Sequence, residues 1–379
     1  MNVNTLFYQI LMVILGTHMM AFAWPLRGQF GHEWGAAIPG AVAGAVAALL
    51  VGRKIFRQAF AQAVLFGIFG FVVGSENIPY GALIDHILTE PTLRAAFPGL
   101  CTVLFIGASW GAVGATYLGY GLSEKPLSVW DYLVILMAGV LAVLVIFVFS
   151  ANAAVAASLV MLIFLLQSYN FLFKKSRTVW IFGLAGGLGF GLGFFGAAVI
   201  LYLGNKGLLP GPPEWWDLRD QIWGAAGGLA LILATFKISE KNLKPVLLAK
   251  PWFQKAGFIL FVPAVCGLNT WNVYEKWFSS VPPAPEPVLA GALVAAGAIL
   301  LIAWLVYYMM NAAFSGPGFN SLLLASFLFF SFYLRFFAIA KSVVYSGWGA
   351  WEPAFTLFLF ESVLFLLVLP FILLGPENP

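Results

Sequence analysis

The chain has 379 residues, of which 62% are hydrophobic and only 9% charged, and its mean hydropathy is +0.95. That composition excludes a water-soluble globular protein, whose hydrated surface needs roughly a quarter of its residues charged. A formal charge of +4 carries no nucleic-acid footprint, and the two cysteines, Cys101 and Cys266, lie in apolar runs, so neither a disulfide framework nor a thiolate metal centre is expected.

Length is better counted in membrane spans than in domains. The first apolar run, 6–24, follows MNVNT, which has no basic residue. AFA at 21–23 resembles a signal-peptidase site, but without a basic leader the run is predicted to be a retained transmembrane helix. Further apolar runs follow at 36–52, 59–74, 97–121, 130–149, 152–172, 179–203, 222–236, 256–270, 287–310, 320–340 and 354–375. The runs 222–236 and 256–270 are short, and are expected to be tilted, re-entrant or extended into their flanks. The fold expected is an all-α polytopic integral membrane protein of about twelve helices, 1–379 forming one transmembrane domain without a soluble one.

Lysines and arginines favour the inner loops of an N-in, C-in topology by about two to one, while most acids fall on the outer side. A bacterial cytoplasmic membrane is the expected location, with the lipid bilayer as the first partner. LRGQF (26–30), LRAAF (93–97) and LRDQI (218–222) each precede an apolar return run, so the hairpins 6–52, 59–121 and 179–236 form a weak internal repeat.

The candidate site residues follow from charge in an apolar chain. Arg27, Arg94 and Arg219 lie on the outer side, where the orientation rule disfavours them, and each is expected to open an inward-running helix, where a cation opposes the helix dipole. Arg335 lies inside its span, a few residues from the outer end. Four guanidinium groups at similar depth suggest an anion site, because arginine forks hold carboxylate or phosphate in a bidentate way. The competing explanation is snorkelling to lipid phosphates, or pairing with Asp220, Glu33 or Glu352.

LRGQFGHEWG (26–35) adds His32 and Glu33, a candidate acid–base pair. His18, within the first span, and Glu361, within the last, are candidates for a coupling proton, with Arg335 the first partner to consider for Glu361. His86 stands beside Asp85. The three histidines lack metal-ligand spacing, so no metal site is expected, nor any cofactor.

Gly183, Gly187 and Gly191 in GLAGGLGFGLGFFG form a small-residue ladder for close helix approach. The run has no preceding strand and lies inside a span, so a nucleotide loop is rejected. Trp24, Trp34, Trp215, Trp216, Trp271, Trp348 and Trp351 are expected at the outer boundary as an aromatic belt. The inner loop VGRKIFRQ (51–58) lacks the acid and glycine pattern of major-facilitator transporters, which counts against that family.

Three functions remain open at this level. One is a secondary transporter of an anionic small molecule, bound by Arg27, Arg94, Arg219 and Arg335. Another is a transferase or hydrolase working at the outer leaflet on a phosphorylated or lipid-linked substrate, with His32 or Glu33 as acid or base. The last is a non-catalytic subunit of a membrane complex. The sequence leaves open whether the chain is an enzyme, and whether it forms a homo- or hetero-oligomer.

Overall fold

A computed structural model describes residues 3–27, 35–50, 63–64, 66–74, 80–123, 130–131, 133–134, 137, 152–210 and 215–238. By its internal contacts the chain forms two compact units, Gly16–Phe258 and Met1–Leu15 with Ile259–Pro379. Everything below concerns the former.

The described residues are helical, with turns between and no strand. The helices are α1 (Val3–Arg27, contributing from Gly16 onward), α2 (Ala37–Leu50), α3 (Tyr80–Thr89), α4 (Leu93–Leu122), α5 (Asn152–Ser168), α6 (Arg177–Asn205) and α7 (Trp215–Phe236). A π-helical turn, Tyr169–Lys174, continues α5. Residues 66–74 form a further helical stretch. Helices α4 and α6 are each long and apolar enough to cross a membrane. Large apolar side chains are exposed at one-turn spacing on α6 (Leu188, Leu192) and α7 (Leu229, Leu233).

Several boundaries differ from the apolar runs for physical reasons. Helix α7 starts at Trp215, so the short run 222–236 is extended into its flank, and Arg219 lies in its second turn. Helix α3 lies in a segment predicted as loop. Its buried residues Tyr80, Ile84 and Ile87 follow helical period, while Asp85 and His86 on the other face are exposed. The runs 256–270, 287–310, 320–340 and 354–375 fall outside the described residues.

The helix ends are fixed locally. Thr92 caps α4, its hydroxyl accepting from the Ala95 amide at 3.2 Å. Ser176 caps α6 by accepting from the Val179 amide at 3.4 Å, and its hydroxyl lies 2.8 Å from that of Ser123, the residue that ends α4. One buried serine pair thus starts one helix, closes the other and ties their ends together. Gly207, at φ 68°, ends α6 in the left-handed conformation that glycine adopts without a Cβ penalty.

Helix α6 is the centre of this unit because glycine lines two of its faces. Toward α4, a Cβ on Gly186 would overlap the Gly111 carbonyl, and one on Gly111 would overlap that of Gly186. Gly187 and Gly191 face Ala112 and Ala108 on the same side. Toward α7, Gly189 and Gly193 lie against Ala230 and Ala226. The expected ladder does bring helices close, but Gly183, its first member, faces the side chains of Gln167 and Thr116 instead. Beside this spine, Val113, Tyr117, Tyr120, Leu162, Leu166 and Val179 form an apolar core joining α4, α5 and α6.

Polar groups inside that core are paired across helices. The Tyr120 hydroxyl donates to Asn170 Oδ1 at 2.7 Å, and Gln167 Nε2 donates to Thr116 Oγ1 at 3.3 Å. Asp131, fully buried, accepts from the Tyr169 hydroxyl at 2.8 Å and forms an ion pair with Lys174 of the π-helical turn. Tyr120→Phe removes the donor while Asn170 stays buried. We expect it to cost about 1–3 kcal/mol, read as a lower unfolding midpoint in detergent with the fold retained.

Candidate functional site

Two of the sequence-selected arginines converge. Arg27 lies in the last turn of α1, not at the start of a return helix. There its cation complements the partial negative charge of the helix C-terminus, so the dipole conflict inferred from sequence does not arise at this position. It is fully buried, and Nη2 donates to the Tyr80 hydroxyl at 2.6 Å. Arg219 on α7 is 4% exposed and donates from Nε (2.9 Å) and Nη2 (2.6 Å) to Asp220 Oδ1. The same Oδ1 lies 3.6 Å from Arg27 Nη2. A single carboxylate oxygen therefore stands between two guanidinium groups brought by different helices.

Aromatic rings enclose the pair. The Arg27 guanidinium lies 4.9 Å from the centre of Trp223, 5.0 Å from Trp110, 5.4 Å from Trp24 and 5.6 Å from Tyr80. Arg219 lies 4.5 Å from Trp216, and Phe194 stacks flat on Trp223 at 3.8 Å. Ring faces attract a cation, and more strongly where water is excluded. That attraction offsets part of the cost of burying the two arginines. Burial raises the Tyr80 phenol above its ordinary pKa, so the group facing Arg27 keeps its proton.

Close backbone packing builds this enclosure. Gly224 of α7 abuts the Met20 carbonyl and Trp24 of α1, which sets Arg27 beside Asp220. Gly107 lets the Phe190 and Phe194 turn of α6 approach α4. Trp110, Phe190 and Phe194 belong to the middle turns of α4 and α6. The enclosure thus lies within the helical bundle, not at the ends of those two helices.

Three buried donors here have no acceptor among the described residues: Arg219 Nη1, Trp24 Nε1 and Trp223 Nε1. Buried N–H groups are nearly always hydrogen-bonded, and leaving one without a partner costs about 1–3 kcal/mol. Together with the arginine pair, they make the enclosure rich in donors among the described residues.

The remaining candidates are placed as follows. Arg94 is exposed in the first turn of α4, roughly 24 Å along the helix from Trp110 at ~1.5 Å rise per residue. It is therefore separate from the Arg27–Arg219 pair. The three Leu-Arg pairs also hold different positions, ending α1, opening α4 and lying in the second turn of α7. His18 is half-buried on α1 and meets Phe22 edge-on at 4.7 Å. His86 is exposed, 3.4 Å from Glu90, the residue that follows α3. His32, Glu33, Arg335 and Glu361 lie outside the described residues. Trp24, expected in the interfacial belt, is fully buried against Arg27. Tyr80, Trp110, Trp223 and Phe194 carried no sequence signal of their own. Among the described residues, no three His, Cys, Asp or Glu side chains come together as a metal site would require.

No family model matches the chain, and no curated protein or solved structure matches it.

Proposed function

We propose that the chain is a polytopic membrane protein of about twelve spans, N-in and C-in, that transports a small anion bound between Arg27 and Arg219. The observation that carries this reading is the convergence of two buried arginines on one carboxylate oxygen, beside three buried N–H groups without an acceptor among the described residues. Arginine is suited to this task because its charge is permanent and its fork matches planar anions. Placement in the middle turns of α4 and α6 favours transport over a transferase or hydrolase at the outer leaflet, since a translocated solute must be bound within the bundle. His18, nine positions before Arg27 on α1, is the described candidate for a coupling proton.

The test is uptake by liposomes holding the purified chain, with benzoate, acetate and inorganic phosphate as labelled solutes. Arg27→Lys and Arg219→Lys keep the charge but lose the fork. Each is expected to lower uptake at least tenfold, and His18→Gln to remove any acceleration by an inward proton gradient. Uptake unchanged in both lysine variants would sink the proposal.

A further inference from the structure

We infer that α3 is a gate on the arginine enclosure: it pivots at its Glu90 end and withdraws Tyr80 from Arg27, and the structure is the closed state. This rests on the transport reading above and names the element that admits the solute.

Position comes first. Helix α3 runs beside α4 in the opposite direction, so that Ile87 meets Gly99 near the start of α4 while the Tyr80 ring lies 6.4 Å from Trp110, about three turns further along. Its first residue thus reaches the arginines, and its last lies at the end of the bundle that the proposed topology places outside. At the arginines, the Tyr80 hydroxyl accepts from Arg27 Nη2 at 2.6 Å, and its ring meets Phe194 edge-on at 5.2 Å. Tyr80 is the wall of the enclosure that α3 contributes. Trp24, Trp110, Trp223 and Phe194 pack on one another, so a solute can enter only where a wall gives way.

Which wall can move follows from how each is held. Helix α4 meets α6 backbone to backbone at Gly111 and Gly186. Residues 66–74 meet α2 at Gly67 and α4 at Gly70 in the same way, and α7 abuts the α1 backbone at Gly224. Helices joined so closely separate only by losing many contacts at once. Helix α3 is held by side chains instead. Its glycine, Gly81, meets nothing within 4 Å, and at Gly99 it offers the side chains of Leu83 and Ile87. It buries three of its ten residues, Tyr80, Ile84 and Ile87, while Asp85, His86 and Thr89 are exposed. An element with so little buried surface opens at low cost.

The two ends of α3 differ. At the far end, the Tyr202 hydroxyl of α6 donates to the Glu90 carbonyl at 3.1 Å, and two residues later Thr92 already caps α4. That end is tethered, so a pivot there swings Tyr80 through the widest arc. Arg27 keeps Asp220 and its three tryptophan rings as Tyr80 leaves. Opening therefore needs no rotation of Asp220 and no release of Arg27 from its other neighbours, and the space for a solute is the space that Tyr80 vacates.

The motion is tested by labelling single-cysteine variants in detergent with a water-soluble maleimide, in a Cys101→Ser, Cys266→Ser background. Ile84→Cys, at a position 1% exposed on α3, is expected to be labelled, and about tenfold faster once Tyr80→Phe removes the hydrogen bond to Arg27. Ala112→Cys, buried where α4 faces α6, should stay unlabelled in both. Transport is tested by a lock. A Cβ on Gly99 would lie 2.6 Å from Ile87 Cγ1, so Gly99→Cys with Ile87→Cys places two Cβ atoms ~4 Å apart, the separation of a disulfide. Oxidised, this variant should take up benzoate at least tenfold more slowly than when reduced. The labelling decides the matter even where the locked variant folds poorly. Ile84→Cys labelled no faster than Ala112→Cys, or a functional lock variant whose uptake is unchanged on oxidation, overturns the gate. If wild type takes up none of the anions while Ile84→Cys is labelled as expected, α3 opens and the transport reading fails instead.

Discussion

Gly186→Leu is expected to prevent α4 and α6 from packing, with a loss of about 3 kcal/mol or more. Overpacking a tight site typically costs about 1–3 kcal/mol when side chains can move aside. Here the obstacle is the Gly111 carbonyl, part of the α4 backbone, and the reciprocal contact of Gly111 with the Gly186 carbonyl leaves no free side on which to shift. The two helices would have to separate along most of their shared length, which also carries Gly107, Gly187 and Gly191 against their partners. In a membrane, such close contacts between small residues are a main source of helix association, because lipid offers no hydrophobic incentive for helices to meet. Gly196 on the same helix provides the contrast, since a Cβ there meets nothing within 4 Å. Gly196→Ala should stabilise the chain by about 0.5–1 kcal/mol through helix propensity alone. Unfolding midpoints of both variants in one detergent check the pair. A Gly186→Leu chain as stable as wild type would mean that the glycine spine does not hold α4 to α6. The same variant should lose anion binding, because this approach carries Phe194 to Arg219 and Phe190 to Trp24.

What was legible in the sequence was the apolar period and the small-residue spacing. They located the described long helices to within a few residues, except at α7. There the acids and the arginine of WWDLRDQ masked a helical first turn that the apolar count began only at Ile222. Helix α3 was missed because its three buried residues are separated by Asp85 and His86, which together look like loop. The glycine count foresaw one packing face of α6. It did not foresee the second, at Gly189 and Gly193, because glycine at adjacent helical positions does not say which neighbour each one serves.

For the site, charge in an apolar setting flagged Arg27 and Arg219, and Asp220 was visible as an ion-pair partner. The mistaken element was the helix to which Arg27 belongs. Arg27 was assigned to the start of a return helix, whereas α1 continues through Pro25 to include it. Proline tends to end helices, and the polar run after residue 24 reinforced that assumption. The aromatic enclosure was not legible, because Trp110 and Trp223 in apolar runs look like any core residue, and Trp24 near a polar turn looks like a belt residue. Donors lacking an acceptor are a property of packing, and no sequence pattern encodes them.

Arg219→Ala is expected to destabilise the chain by about 3–5 kcal/mol, the range observed when one partner of a buried ion pair is removed. Asp220 would remain 6% exposed with its two hydrogen bonds gone and Arg27 at 3.6 Å as its cation. Removing both charges should be milder. Arg219→Met with Asp220→Leu replaces the pair by apolar side chains of similar bulk, and such replacements are often neutral for stability. Arg27 would keep its hydrogen bond to Tyr80 and its four ring contacts. The two variants together separate a role in holding α1 to α7 from a role in binding. If the ion pair exists to fix the helices, the double variant should be unstable as well. If it exists to bind an anion, the double variant should be nearly as stable as wild type in its unfolding midpoint and should no longer bind benzoate. A double variant that both folds and binds benzoate normally would remove Arg219 and Asp220 from the site, leaving Arg27 as a structural cation held by its rings.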